Sequence, residues 1–147
     1  ATSVRSDVAA VRVAIDAAGH PALLMADCIA SLACDRFEMD AWGADVTVAA
    51  SQKGLMGPPG LCFVWFNDRA AAARERAHRV TPYWDWRPRA RPEGGFWQLW
   101  GGTAPTQALW GLDAALAMIE EEGLEAVWAR HARLARAVWA AAEAWGP

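Results

Sequence analysis

Lysine is nearly absent from the sequence: of 14 basic side chains, only Lys53 is lysine and the rest are arginine. Long hydrophobic runs are missing too. Apolar residues make up 54 % of the chain, yet Asp, Arg, Gly or Pro interrupts every run well short of the roughly 20 residues a membrane-spanning helix needs. The first residues lack a basic stretch followed by an apolar one, so no secretory signal is read. No positive excess exists either. A net charge of −3 excludes a general attraction to nucleic acid or anionic membrane. The three cysteines, Cys28, Cys34 and Cys62, are odd in number and show no Cys-x-x-Cys spacing. That predicts reduced thiols in a cytoplasmic protein rather than a disulfide framework. His20, His78 and His131 are too scattered for a local metal signature, so no metal site is expected.

The scarcity of lysine has a chemical reading. A solvated surface cation can be Arg or Lys, and an Arg- and Ala-rich codon bias accounts for part of the pattern. An amine nucleophile cannot be replaced so freely, because guanidinium stays protonated and attacks poorly. A chain that keeps one lysine points to amine chemistry at that position. A solvated loop cation is the plainer alternative.

Val4, Val8, Val11 and Ile15 recur at helical spacing, with Gly19 and Pro21 closing the helix. Ala22–Ala26 is a continuous apolar run, as a buried parallel strand would be, stopping at Asp27. Residues 28–45 read as a loop with one helical turn around Phe37–Trp42. Val46–Ala50 is a second strand, ending at Ser51-Gln52-Lys53, and the glycine- and proline-rich Gly54–Gly60 is turn chemistry. Leu61–Phe66 is a third strand, and Asn67 can cap a helix through Ala70–His78. Residues 80–102, rich in Pro, Gly, Trp and Arg, read as an ordered excursion packed against something. Thr103 with Pro105 opens a helix to about Glu122, Gly123 breaks it, and Leu124–Trp145 is a long second helix.

This order makes an α/β domain with helices over the sheet. Its 147 residues suffice for one core. Three short strands make a poor sheet, however, and 10 tryptophans need more cover than this length offers. The sequence reads as the middle of a larger protein.

Asp27 and Lys53 each follow an apolar strand directly. In α/β sheets, ligands bind outside the carboxyl ends of strands, which would set both residues at one crevice. That pair suits pyridoxal 5′-phosphate, whose aldehyde needs a lysine amine and whose ring nitrogen, on the opposite side, needs a carboxylate to hold its proton. From spacing alone, Asp27 serves equally as a turn cap.

The run DCIASLACDRFEMDAWGADVTVAASQKGLMGPPGL, from Asp27 to Leu61, resembles the cofactor region of class V aminotransferases, nearest the alanine/serine/aspartate–glyoxylate branch. GGTAPTQALWGLDAAL and EEGLEAVWARHARLARAV are also typical of that branch. The resemblance implies the α/β fold of a type I PLP-dependent transferase, here part of its large domain. Residues 1–123 would be the central and C-terminal part of that domain, and 124–147 a helix leading toward a small domain. It further implies a homodimer with the cofactor near the subunit interface, and small amino acid and 2-oxo acid substrates. By position, Lys53 is the Schiff-base lysine, Asp27 the partner of the pyridinium nitrogen, and Ile29 a residue packed on one face of the ring. Gln52 corresponds to a polar residue near the cofactor phosphate. Thr103 corresponds to a threonine that reaches the phosphate of the neighbouring subunit's cofactor, although a plain helix N-cap would also suit it. Taken physically, Thr103 at a helix start after Gly101 and Gly102 offers a hydroxyl and free amides to an anion.

Departures accompany the likeness. Ser3 stands where relatives often have glycine, and Trp100 where they carry tyrosine. The phosphate-cradling loop and ring-stacking residue are expected upstream of Ala1, and the substrate-carboxylate arginine downstream of Pro147. Gln52 argues against cysteine desulfurases, which tend to have histidine there. Phosphoserine aminotransferases share the Gln-Lys pair, but PPGL and GTAPT lean away from them. Transamination to glyoxylate or a related 2-oxo acid is thus the first expectation. The second is a truncated or degenerate piece without catalysis, acting as a packing module through an exposed Trp-rich segment.

Overall fold

A computed structural model describes residues 4–146; Ser3 lies outside them. The Asp7 carboxylate accepts the Ala10 amide at 2.9 Å, and this cap sets the start of helix α1, Val8–Ala17. The helix therefore begins a turn later than the valine spacing predicts, because an N-cap with extended backbone fixes the first turn.

Three strands follow: β1, Met25–Asp27; β2, Val46–Ala50; and β3, Cys62–Phe66. The sheet order is β1-β2-β3. Strand β1 pairs parallel with β2, setting Met25 opposite Val46 and Asp27 opposite Val48. Strand β3 pairs antiparallel, from Val46↔Phe66 to Ala50↔Cys62. The first strand is shorter and later than expected. The carbonyls of Pro21 and Ala22 are taken by the Arg69 guanidinium, each at 3.0 Å, instead of by a neighbouring strand. Because side chains alternate along a strand, Ala26, Thr47 and Ala49 share one face, and all three are buried. Met25, Asp27, Val64 and Cys62 point to the other face, and all four are exposed.

At the amino-terminal end of β2, the buried Asp45 gathers the chain around one carboxylate. It accepts from the Leu24 amide at 2.7 Å, Asn67 Nδ2 at 3.0 Å and Arg69 at 2.9 Å, with Arg12 at 3.5 Å. Burial works to raise its pKa, but the Leu24, Asn67 and Arg69 contacts outweigh burial and hold it below the usual carboxylate range. Four elements are tied there, at the end of the sheet opposite Lys53.

Asn67 caps helix α2, Asp68–Glu75, by accepting the Ala70 amide at 2.9 Å. The excursion that follows is ordered. It holds the short helix α3, Arg87–Ala90, and a 3₁₀ turn, Phe96–Leu99. Trp86 stacks on Phe66 at 4.6 Å between centroids, and Arg74 clamps Asp85 through two bonds of 2.8 and 2.5 Å. Those bonds, with a further one from the Arg87 amide, bring the Asp85 pKa down to about 2. Much of the segment's aromatic surface stays uncovered, Trp84 at 80 % exposure.

Helix α4, Thr106–Glu122, and helix α5, Leu124–Trp145, meet at Gly123, whose φ of 85° breaks the run. Arg130 pairs with Glu122 across the break at 2.7 and 2.8 Å. Helix α4 buries Leu112, Ala115 and Ile119, and α5 buries Val127. Further along α5, Trp128 is half-buried, while Leu134, Val138 and Trp145 are exposed. Most of the apolar side of α5 is left uncovered among the described residues.

Candidate active site

Asp27 ends β1, and its side chain is exposed. Its Oδ1 accepts the Ile29 amide at 2.9 Å, an Asx turn that starts the loop after the strand. The plainer reading of Asp27 as a turn cap is therefore realised with one carboxylate oxygen. The other oxygen has no hydrogen-bond partner among the described residues. Ile29 is half-buried beside it.

Lys53 stands three residues beyond β2. Since Asp27 lies opposite Val48 in a parallel pair, both residues leave the same end of the sheet. Val48 to Ala50 adds only about 7 Å of strand before the Lys53 turn begins. Gln52 and Lys53 are both exposed, and Lys53 has no carboxylate partner among the described residues. The turn closes locally, with the Met56 amide donating to the Lys53 carbonyl at 2.9 Å and the Gly57 amide to the Ser51 carbonyl at 2.8 Å.

Residues that the sequence reasoning passed over hold this turn in place. Ser51 is fully buried, and its hydroxyl donates to the Pro58 carbonyl, tying the two arms of the loop. Gly54 approaches the loop after Asp27 so closely that a Cβ would lie 2.2 Å from the Leu32 carbonyl oxygen and 2.6 Å from Cys34 Sγ. Leu55 packs against the cluster of Ala33, Ile119 and Val127, which ties the Asp27 loop and the Lys53 loop to α4 and α5. Full burial of a side chain such as Val127 is worth about 1.5–3 kcal/mol. Gly111 of α4 admits Pro58, since a Cβ there would fall 2.5 Å from the proline Cγ. No local pattern marks Leu55; its role comes from Ile119 and Val127, which belong to helices far along the chain.

Backbone strain gathers at the same place. Ala33, at φ 64°, and Met56, at φ 58°, are the non-glycine residues with positive φ among those described. One lies in the loop after Asp27 and the other three residues after Lys53. Such left-handed residues cost of order 1 kcal/mol each and persist where surrounding packing over-determines them.

A cavity of about 930 Å³ opens beside β1, with Asp27, Ser31, Arg36 and Trp42 in its wall. Ile29, Gln52, Lys53 and Thr103 are not part of that wall. Thr103 corrects one expectation. Helix α4 begins at Thr106 with Pro105 in the cap position and no side-chain cap bond, so Thr103 is not the N-cap. It sits exposed in a bend three residues ahead. Proline at 105 has no amide to give and its fixed φ starts the helix there, leaving Thr103 outside it.

The donor set fits pyridoxal 5′-phosphate: among the described residues, a carboxylate with one unengaged oxygen ends β1, and a primary amine without a carboxylate partner follows the adjacent parallel β2 at the same sheet end.

The chain belongs to the class V aminotransferase family, whose model matches residues 4–143. It is 47 % identical to the L-aspartate–glyoxylate aminotransferase of Paracoccus denitrificans over 99 % of this chain and 36 % of that protein. It is 42 % identical to a serine–glyoxylate aminotransferase of Arabidopsis thaliana over 99 % of this chain and 36 % of the relative. Among solved structures, an alanine–glyoxylate aminotransferase from Nostoc sp. superposes with a TM-score of 0.82 at 29 % identity, covering 99 % of this chain and 38 % of that one. The fold expected from the sequence, part of a transferase large domain, is thus the fold found. The chain spans about a third of the length of the curated relatives it matches. Among the described residues, no helix is long and apolar enough to cross a membrane.

Proposed function

We propose that the whole protein of which this chain forms a part transfers an amino group from a small L-amino acid (serine, alanine or aspartate) to glyoxylate or a related 2-oxo acid. Pyridoxal 5′-phosphate is its cofactor, and the protein is a cytoplasmic homodimer with the cofactor near the subunit interface. The observation that carries this reading is the parallel β1–β2 pair, which delivers Asp27 and Lys53 to one end of the sheet. The family match along nearly the whole chain supports it and disfavours a non-catalytic packing module. Relatives named for glyoxylate favour that branch over a phosphoserine one. Three cysteines without a disulfide suit a reducing compartment.

When bound, the cofactor supplies an electron sink for the bond broken at the amino acid's Cα. Lys53 would hold the cofactor's aldehyde carbon through Nζ, and the same nitrogen would carry a proton as general acid and base. Asp27 would keep the ring nitrogen protonated through the oxygen that Ile29 does not use. Ile29 would pack on one face of the ring, while Gln52 and Thr103 would contact phosphate, Thr103 that of the neighbouring subunit. Residues 1–123 form the central and C-terminal part of the large domain, and 124–147 lead toward a small domain.

Borohydride reduction of the protein with pyridoxal 5′-phosphate, followed by peptide mapping, tests this. Stable modification at Lys53, lost in Lys53→Arg and sharply reduced in Asp27→Ala, is the expected result. Transamination should fall at least about 10²-fold in Lys53→Arg. Labelling confined to other amines would overturn the assignment.

A further inference from the structure

The excursion after α2 encloses a second cavity, about 440 Å³, walled in part by Tyr83, Asp85, Arg89, Gln98, Gly101 and Gly102. Two of these side chains are charged. Asp85 is already held by Arg74. Arg89 has no carboxylate partner among the described residues. Its Nη2 donates to the Tyr83 carbonyl instead, and its Cζ lies 4.9 Å from the centroid of the Tyr83 ring.

Gly101 closes the remaining side. A Cβ on it would fall 2.6 Å from Arg89 Nη2 and 3.4 Å from Tyr83 Cδ2, and its φ of 67° is in the left-handed region. The backbone therefore lies directly on the Arg89–Tyr83 pair, two residues before Thr103. Gly101 and Gly102 impose almost no conformation of their own. Thr103 makes no helix cap that could anchor it from the other side. The contact with Arg89 constrains the turn beside two local backbone bonds, Trp100 amide to Trp97 carbonyl and Thr106 amide to Ala104 carbonyl.

We infer that Arg89 is a positioning residue: through Tyr83 and Gly101 it fixes the turn that presents Thr103 to a cofactor phosphate. This rests on the assignment of Thr103 to that phosphate. Arginine suits the task where lysine would not. Its planar guanidinium can lie over an aromatic ring, meet a glycine backbone and donate to a carbonyl at once, whereas an ammonium is a point charge on a flexible stem.

The test compares, in the full-length protein, spectroscopic titrations with pyridoxal 5′-phosphate and with pyridoxal, which lacks the phosphate. Arg89→Ala should weaken the phosphorylated form about tenfold and leave pyridoxal within about twofold. Thr103→Ala should do the same, and the double variant should be no weaker than Thr103→Ala alone. Should Arg89→Ala fail to fold, Gly101→Ala replaces it, since its Cβ displaces the same contact, and the same selective loss is expected. Equal weakening of both compounds would mean a merely structural Arg89 and overturn the inference. A selective loss in Thr103→Ala without one in Arg89→Ala overturns it while sparing the Thr103 assignment. No selective loss in Thr103→Ala removes the assignment and the inference together.

Discussion

Replacing Asp45 tests the reasoning about how the sheet is held. The side chain is 3 % exposed and meets Arg12, itself 12 % exposed, and Arg69, which is 42 % exposed. Asp45→Ala strands the Leu24 amide and the Asn67 side-chain amide, whereas Arg12 keeps its closer partner Asp16 at 2.5 Å. Leaving each of those two donors unsatisfied costs about 1–3 kcal/mol. Arg69 remains solvated and adds at most about 1 kcal/mol, so about 4 kcal/mol is expected. Asp45→Asn keeps the shape and one acceptor and should lose about 2 kcal/mol, the share due to charge. Against a total of about 5–15 kcal/mol, either loss is large. Urea unfolding followed by tryptophan fluorescence should show a lower midpoint with an unchanged slope. The pH dependence has a definite sign. The folded carboxyl lies below its ordinary value, so its contribution is complete above about pH 4 and fades as pH falls through the folded pKa. In Asp45→Asn that contribution is absent at every pH, so the gap between variant and wild type should narrow on acidification. A loss below about 0.5 kcal/mol at pH 7 in Asp45→Asn would refute the view that charge holds this junction.

Two further perturbations follow from the same geometry. Gly111→Val sets a branched side chain against Pro58 and should cost about 1–3 kcal/mol by overpacking, read as a lowered melting temperature. Weaker capture of pyridoxal 5′-phosphate at Lys53 should accompany it. The Asp85 carboxyl, at about 2 because of Arg74, should keep its pair intact through mild acid. The stability it lends is complete above about pH 4 and lost as pH falls through about 2. Near-ultraviolet circular dichroism of the stacked Phe66–Trp86 pair should therefore begin to change only near that lower value.

Strands β2 and β3 were legible because apolar runs end at polar or glycine-rich breaks, and α2 because Asn67 is a good cap. The β1 boundary was not. Whether Ala22 or Met25 begins the strand depends on Arg69, 47 residues on from Ala22, taking two carbonyls. The N-cap alternative for Thr103 failed for a local reason, since Pro105, two residues on, takes the cap position of the helix that starts at Thr106. That Asp27 and Lys53 leave the same end of the sheet was visible as soon as both strands were read as parallel. What presses on their loops was hidden. Gly54 looks like any turn glycine, and Leu55 like a stray apolar residue, until α4 and α5 lie against them. The exposed tryptophans were foreseeable from their number alone.

The contact of Leu55 with Ile119 and Val127 also sets an order of events in time. A chain emerging from synthesis exposes Lys53 long before residue 127 exists, and until then the amine swings on an unanchored loop. Contacts of such long sequence separation close late in folding because loop-closure entropy opposes them. On the proposed role of Lys53, its amine acquires its address only when α4 and α5 have docked, which would make cofactor loading one of the last steps of maturation.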